Sequence, residues 1–148
     1  MSRSLLAGLV GAAGLALCGC GGDGKIPLAP VVGTVTYKGK PVAGAAVSFI
    51  PETPGVRAGI GKTDKDGRYV IETYEPADGG PVGRCKVAVS LRGPPKRLKP
   101  GLGEAAAEEL LESGDPLIPT RYFDPDKSGL AFEIVKGRTN TFDIVLTD

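Results

Sequence analysis

The chain has 148 residues, enough for one domain, with 18 basic and 17 acidic side chains. Arg3 is the only charge among the first 22 residues, so the remainder balances at 17 against 17, and no attraction to nucleic acid is built in. The absence of His and Trp removes the commonest general base and metal ligand, while 23 Gly and 13 Pro point to turns and strands rather than helices.

The N-terminal segment carries Arg3 and then an uncharged apolar run of 13 residues, Leu5 to Leu17. That is shorter than the roughly 20 residues a membrane-spanning helix needs, and it suits the core of a signal peptide. The run closes on Leu17-Cys18-Gly19-Cys20, which resembles the lipobox of bacterial lipoproteins. Leu17 occupies the aliphatic position three before Cys20, and Gly19 the small position before it. Cys18 fits less well, because Leu17 would then hold the small position. The resemblance implies cleavage after residue 19, diacylglycerol on the Cys20 thiol and acylation of the new amino terminus with palmitate-like chains. Two or more chains anchor stably where one does not. The expectation is an exported, membrane-anchored lipoprotein of the cell envelope. Residue 21 is Gly, not the Asp that in some Gram-negative bacteria holds a lipoprotein at the inner membrane, so either membrane is open to it. Residues 20–30 are Gly- and Pro-rich and are expected to form a flexible tether.

From Val31 the pattern changes to alternation with a period of two, the mark of strands with one face on a core. Val31, Gly33, Val35 and Tyr37 share one parity, and Ala45, Val47 and Phe49 share another across a Gly- and Pro-containing connection. The two runs are expected to form a hairpin. A weak strand interrupted by Gly59 and Gly61 follows, then the turn Thr63-Asp64-Lys65-Asp66-Gly67. Tyr69 and Ile71 then share a face, Asp78 to Gly83 make another turn, and Cys85, Val87, Val89 and Leu91 alternate with polar or small residues. Near the end Leu130, Phe132 and Ile134 alternate, as do Phe142, Ile144 and Leu146, with a turn at Gly137 between them. Together these predict about seven strands in an antiparallel β-sandwich.

Three segments carry a closer likeness. V-x-G-x-V-x-x-x-G-x-P-V-x-G-A-x-V-x-F over Val31–Phe49, T-D-x-D-G-x-Y over Thr63–Tyr69 and P-x-G-x-x-x-V-x-V over Pro81–Val89 resemble the carboxypeptidase regulatory-like family. Short lipoproteins of planctomycete type are the most similar, including the late stretch with Tyr122, Asp124-Pro125 and Ser128-Gly129-Leu130. The resemblance implies an all-β, seven-stranded antiparallel sandwich of transthyretin (prealbumin) type over residues 31–148. It implies little about function, because such sandwiches carry unrelated roles.

Residues 92–121 form a long irregular insertion, basic and Pro-rich at first and acidic from Glu104 to Glu112, where a short helix is expected, stopped by Gly114 and Pro116. Asp124-Pro125-Asp126-Lys127-Ser128-Gly129 has the opening of a calcium loop, which makes Asp124, Asp126 and Ser128 weak metal-ligand candidates. The closing Glu is missing, since Val135 stands at its position and Glu133 is two residues early, so a turn entering a strand is the favoured reading. Asp64 and Asp66 carry the same pair of readings. Cys85 has core parity and no His to activate it, as expected of an inert buried thiol. A Lys–Asn crosslink of the sort found in collagen-binding B-type domains would use Asn140, the sole Asn, with Lys38 or Lys40. Serine nucleophiles lack a His partner, and no Gly-x-Ser-x-Gly elbow occurs. The sequence thus predicts a non-enzymatic module with no cofactor, tied to the membrane through Cys20, that meets a protein or glycan partner. A small-ligand or carbohydrate carrier and a calcium-dependent adhesion module are the alternatives.

Overall fold

The computed structural model describes residues 26–94 and 114–148. The signal segment, Cys20 and the helix expected over 104–112 lie outside the described residues. Eleven strands occur among them: β1 (Leu28–Ala29), β2 (Val31–Tyr37), β3 (Lys40–Pro41), β4 (Ala46–Pro51), β5 (Gly59–Lys62), β6 (Arg68–Val70), β7 (Gly80–Pro81), β8 (Gly83–Ser90), β9 (Leu130–Ile134), β10 (Asn140–Thr141) and β11 (Ile144–Leu146). Among the described residues a 3-10 turn, Thr120–Phe123, precedes β9. The protein is all-β in its described part.

Two sheets carry the fold. One is ordered β5-β4-β8-β9 and is antiparallel throughout. The other is built around β2, with β3 and β6 on one edge and β10 and β11 on the other. The buried residues of both sheets form one cluster, so the sheets face each other across a shared core. Val31 and Val35 of β2 meet Val47 and Phe49 of β4, Val87 and Val89 of β8, and Ile144 and Leu146 of β11, all at most 1% exposed. Each such side chain contributes about 1.5–3 kcal/mol by leaving water. Phe49 is the hub: its ring lies 6.1–6.3 Å from those of Tyr69, Phe132 and Phe142, and the last two stack at 4.6 Å.

The expected faces are the observed ones, but two pairings differ. β2 and β4 do not form a hairpin. Lys38 and Gly39 both have positive φ, +52° and +73°, and turn β2 back on Lys40–Pro41 alone. The chain then crosses, and β4 joins the opposite sheet. The strand pairing is also not antiparallel throughout, because β10 and β11 run parallel to β2. Alternation fixes which face a residue occupies and leaves the partner strand and its direction open.

Gly33 explains why β2 accepts this edge. A Cβ there would sit 2.0 Å from the Phe142 carbonyl oxygen, where the C-terminal run breaks between β10 and β11. Asp143 fills the break: its carboxylate accepts from the backbone N–H and the hydroxyl of Thr34 at 2.9 and 2.8 Å. Tyr69 reaches beneath β2 to donate its hydroxyl to the Phe142 carbonyl at 2.5 Å. Burial pushes that phenol well above its ordinary range, so it stays a donor.

The fold also starts earlier than Val31. Leu28 and Ala29, expected in the tether, pair with Pro81 and Gly80, and Ala29 is buried. Both ends of the 92–121 segment are likewise built in: Arg92 bridges Pro116, and Ile118 and Tyr122 join the core.

Candidate functional site

The Asp124–Gly129 segment is a side-chain-braced turn leading into β9. The Asp124 carboxylate accepts from the Asp126 N–H at 2.9 Å, its carbonyl accepts from the Lys127 and Ser128 N–H groups, and its other oxygen pairs with Lys127 at 3.3 Å. The Asp126 N–H comes first among the causes that hold this carboxyl below its ordinary value, with the Lys127 ammonium second. Asp126 points away to Lys86 on β8 at 2.5 Å. Ser128 is buried, donates to the Val87 carbonyl at 2.6 Å and accepts from the Leu130 N–H at 3.1 Å. The three candidate ligands therefore sit within one turn but do not converge. A cation there would have to displace two lysines. Among the described residues no three His, Cys, Asp or Glu side chains are grouped to hold a metal.

Cys85 is fully buried and faces the Pro81 and Gly83 carbonyls, each 3.8 Å from its sulfur. Burial, with Glu52 nearby, pushes its thiol up to about 11, so it carries little thiolate at neutral pH. Asn140 is also buried, and its amide is fully used: its oxygen accepts from the Val135 N–H, and its nitrogen donates to the carbonyls of Val135, Arg138 and Pro30. It stands opposite Val31, at the start of β2, whereas Lys38 and Lys40 flank the far end of that strand. Seven-residue strands run about 23 Å, so neither lysine reaches it.

Two groups important to the fold, Tyr122 of the late stretch and Asp78 of the turn before β7, have roles that the sequence alone does not assign. Tyr122 inserts its hydroxyl at the end of β11, where it accepts from the Thr147 N–H at 3.0 Å and from Arg121 at 2.8 Å. Burial pushes this phenol up, but the bonds from Thr147 and Arg121 outweigh it and hold the group below its ordinary value. Asp78 organises the loop before β7, accepting from the backbone N–H groups of Thr73, Tyr74 and Glu75 at 2.7–2.9 Å. Both lie next to turn signals, but their partners are set by tertiary approach.

Among the described residues the surface has several concavities, of which one of about 440 Å³ lies between Ile50–Glu52, Lys86 and Asp126 and two more have a mostly apolar lining. The larger, about 940 Å³, lies over the outward side of β4, β5 and β6, with small residues (Gly44, Ala46, Ser48) along its floor and the exposed side chains of Ile60 and Val70 at its wall. The smaller, about 340 Å³, lies at the β2–β3 turn between Tyr37, Val42, Leu91 and Leu117. Both fall in the size range of small-ligand sites.

No family model and no curated protein sequence matches the chain. Among solved structures there is a likeness to a 9R-lipoxygenase from Cyanothece PCC8801, at 17% identity and a TM-score of 0.39. It covers 82% of this chain, which spans only 16% of that enzyme's length. At that score it carries no argument about fold or activity.

Proposed function

We propose that this chain is a non-enzymatic, lipid-anchored module of a bacterial cell envelope, a transthyretin-like β-sandwich of the carboxypeptidase regulatory-like type that acts by binding or structural contact. The observation that carries the reading is the lipobox-like Leu17–Cys20 at the end of an apolar run, placed just ahead of a β domain whose first described residue is Ile26. The strand inventory supports the finer architecture: with β10 and β11 counted as one interrupted strand, the longer strands are β2, β4, β5, β6, β8, β9 and the C-terminal run. Short pieces β1, β3 and β7 are edge additions to that set.

Anchoring is tested by Cys20→Ser. The wild-type chain is expected in the membrane fraction with an N-terminal mass increased by lipid, and the variant in the soluble fraction with its fold intact. A variant that stays membrane-bound overturns the anchor. Turnover of a small-molecule or glycan substrate by the purified protein, abolished by one substitution, would overturn the non-enzymatic reading.

The concavity over β4–β6 favours a second reading, a small-ligand or carbohydrate carrier. Its exposed lining is aliphatic and charged (Ile60, Val70, Lys62, Arg68, Glu72) and its aromatic member, Tyr69, is buried in the core, so no exposed ring is offered for a sugar to stack on, which ranks this reading lower. The calcium-dependent adhesion reading rests on Asp124, Asp126 and Ser128. Under it, calcium would raise the thermal midpoint, since a ligand bound only to the native state stabilises it.

A further inference from the structure

We propose that the pairing of β2 with the C-terminal run is a shear clamp, which lets the domain carry tension between its N-terminal anchor and a load drawn through that run. The role deepens the structural reading above and rests on it for where the load enters. β2 begins at Val31, beside Asn140, and ends at Tyr37, beside Leu146. The two are therefore parallel: the chain enters β2 at one end of the sandwich and leaves the run at the other. A pull between those points drives β2 one way and the run the opposite way. Every bond between them is then strained at once. Antiparallel neighbours joined at one end would instead open bond by bond.

The fastening runs the length of β2 and draws on side chains as well as backbone. The Asn140 N–H donates to the Pro30 carbonyl at 2.8 Å, and the Phe142 N–H to that of Val32 at 2.9 Å. Where the run breaks, Asp143 restores the connection through the Thr34 N–H and hydroxyl, at 2.9 and 2.8 Å. β11 then stays in register from Ile144 beside Val35 to Leu146 beside Tyr37. Past β11 the Asp148 carboxylate accepts from the Tyr37 hydroxyl and pairs with Lys38 at 2.9 Å. Tyr69 adds a third strand, since it sits on β6 at the opposite edge of β2 and still donates to the Phe142 carbonyl at 2.5 Å. Val31, Val35, Ile144 and Leu146 are at most 1% exposed, so water cannot reach the ladder from the core side. β1, ahead of the clamp, is held over two residues only and yields before it.

The test is single-molecule force spectroscopy on the full chain, in a Cys18→Ser, Cys20→Ser background that leaves the buried Cys85 as its one native thiol. Handles fused to the two termini pull the clamp in shear. A handle on Lys40→Cys and one at the C-terminus pull both strands from the same end, because Lys40 lies beside Tyr37. The unfolding force in shear is expected to be at least roughly twice that in peeling, since bonds that fail together resist more than bonds that fail singly. Asp143→Ala removes two contacts of the clamp and should lower the shear force by roughly a third, with the peeling force nearly unchanged. Ser128→Ala unfastens a turn on β8, outside the clamp, and should leave the shear force as it is. Equal forces in the two geometries overturn the proposal. So does a shear force that falls as far in Ser128→Ala as in Asp143→Ala, which would reduce Asp143 to a contributor to stability. The comparison of geometries needs no substitution of the paired β2 and C-terminal run, so it decides the matter even if Asp143→Ala fails to fold. Fractionation of Cys20→Ser reads the anchor separately, and its failure would leave the force comparison standing.

Discussion

The two aspartate turns of this molecule, Thr63–Arg68 and Asp124–Gly129, are close to interchangeable as sequence and differ in what holds them. Both place an Asp whose carboxylate accepts from the N–H two residues on, and both end with a Gly at positive φ, +75° at Gly67 and +69° at Gly129. The first is wedged into the sheet. Gly67 gives its carbonyl to the Val35 N–H at 2.8 Å, and a Cβ on it would stand 2.6 Å from the Val35 carbonyl oxygen. The second rests on the surface and is fastened to β8 by two side chains, the buried Ser128 to the Val87 carbonyl and the exposed Asp126 to the Lys86 ammonium. Around Gly129 a Cβ would meet nothing within 4 Å. Local turn chemistry is thus shared, while the energetic weight of each turn is decided by the strand it touches.

The sharpest way to break this contrast is Gly67→Ala. It combines a left-handed backbone with a collision against main chain that cannot step aside, and is expected to cost about 3 kcal/mol or more by denaturant unfolding. A loss below about 1 kcal/mol would mean the wedge is soft. Next comes Ser128→Ala, expected to cost about 2 kcal/mol by leaving the buried Val87 carbonyl without its donor. A neutral result would show that the second turn is fastened elsewhere. Gly129→Ala should cost only about 1 kcal/mol, the strain of a positive φ with free space around it. If it matched Gly67→Ala, backbone strain alone would account for both turns.

The smallest effect is electrostatic. Both Asp64 and Asp124 are held below their ordinary values, Asp64 first by the Arg68 N–H and Asp124 first by the Asp126 N–H and then by the Lys127 ammonium. A depressed folded value means that the stability each contributes is present above the ordinary carboxylate range and is lost as pH falls through the folded value. Salt screens an exposed ammonium more than a hydrogen-bonded amide. Carboxyl titrations followed by NMR should therefore show Asp124 moving back toward its ordinary value at high salt by more than Asp64. Equal movement of both would remove the distinction.

Much of the fold was legible because burial imposes parity. Val31, Val35, Val47, Phe49, Cys85, Val87 and Val89 all occupy the expected face. What parity could not supply was partnership: β4 leaves β2 for the other sheet, and the C-terminal run lies parallel to β2, with Gly33 leaving the room that the Phe142 carbonyl needs. β1 escaped notice because it is two residues long with a proline on either side. At the candidate site, the turn around Asp124 and Asp126 was legible from Asp, Pro and Gly. The inward role of Ser128 was not, because its acceptor is 41 residues away.

The position of β2 also has a consequence for how the chain is made. Its local partner, β3, is only two residues long, and the edge opposite is closed by a run more than a hundred residues later, as the 109-residue separation of Thr34 and Asp143 records. Synthesis proceeds from the N-terminus, so β2 waits with an open edge while the hundred or so intervening residues are made. Closing so distant a contact is slow, and an unpaired strand edge is a template for wrong partners. The central strand of the fold is therefore its most exposed liability during assembly, and it is the distant run of β10 and β11 that retires it.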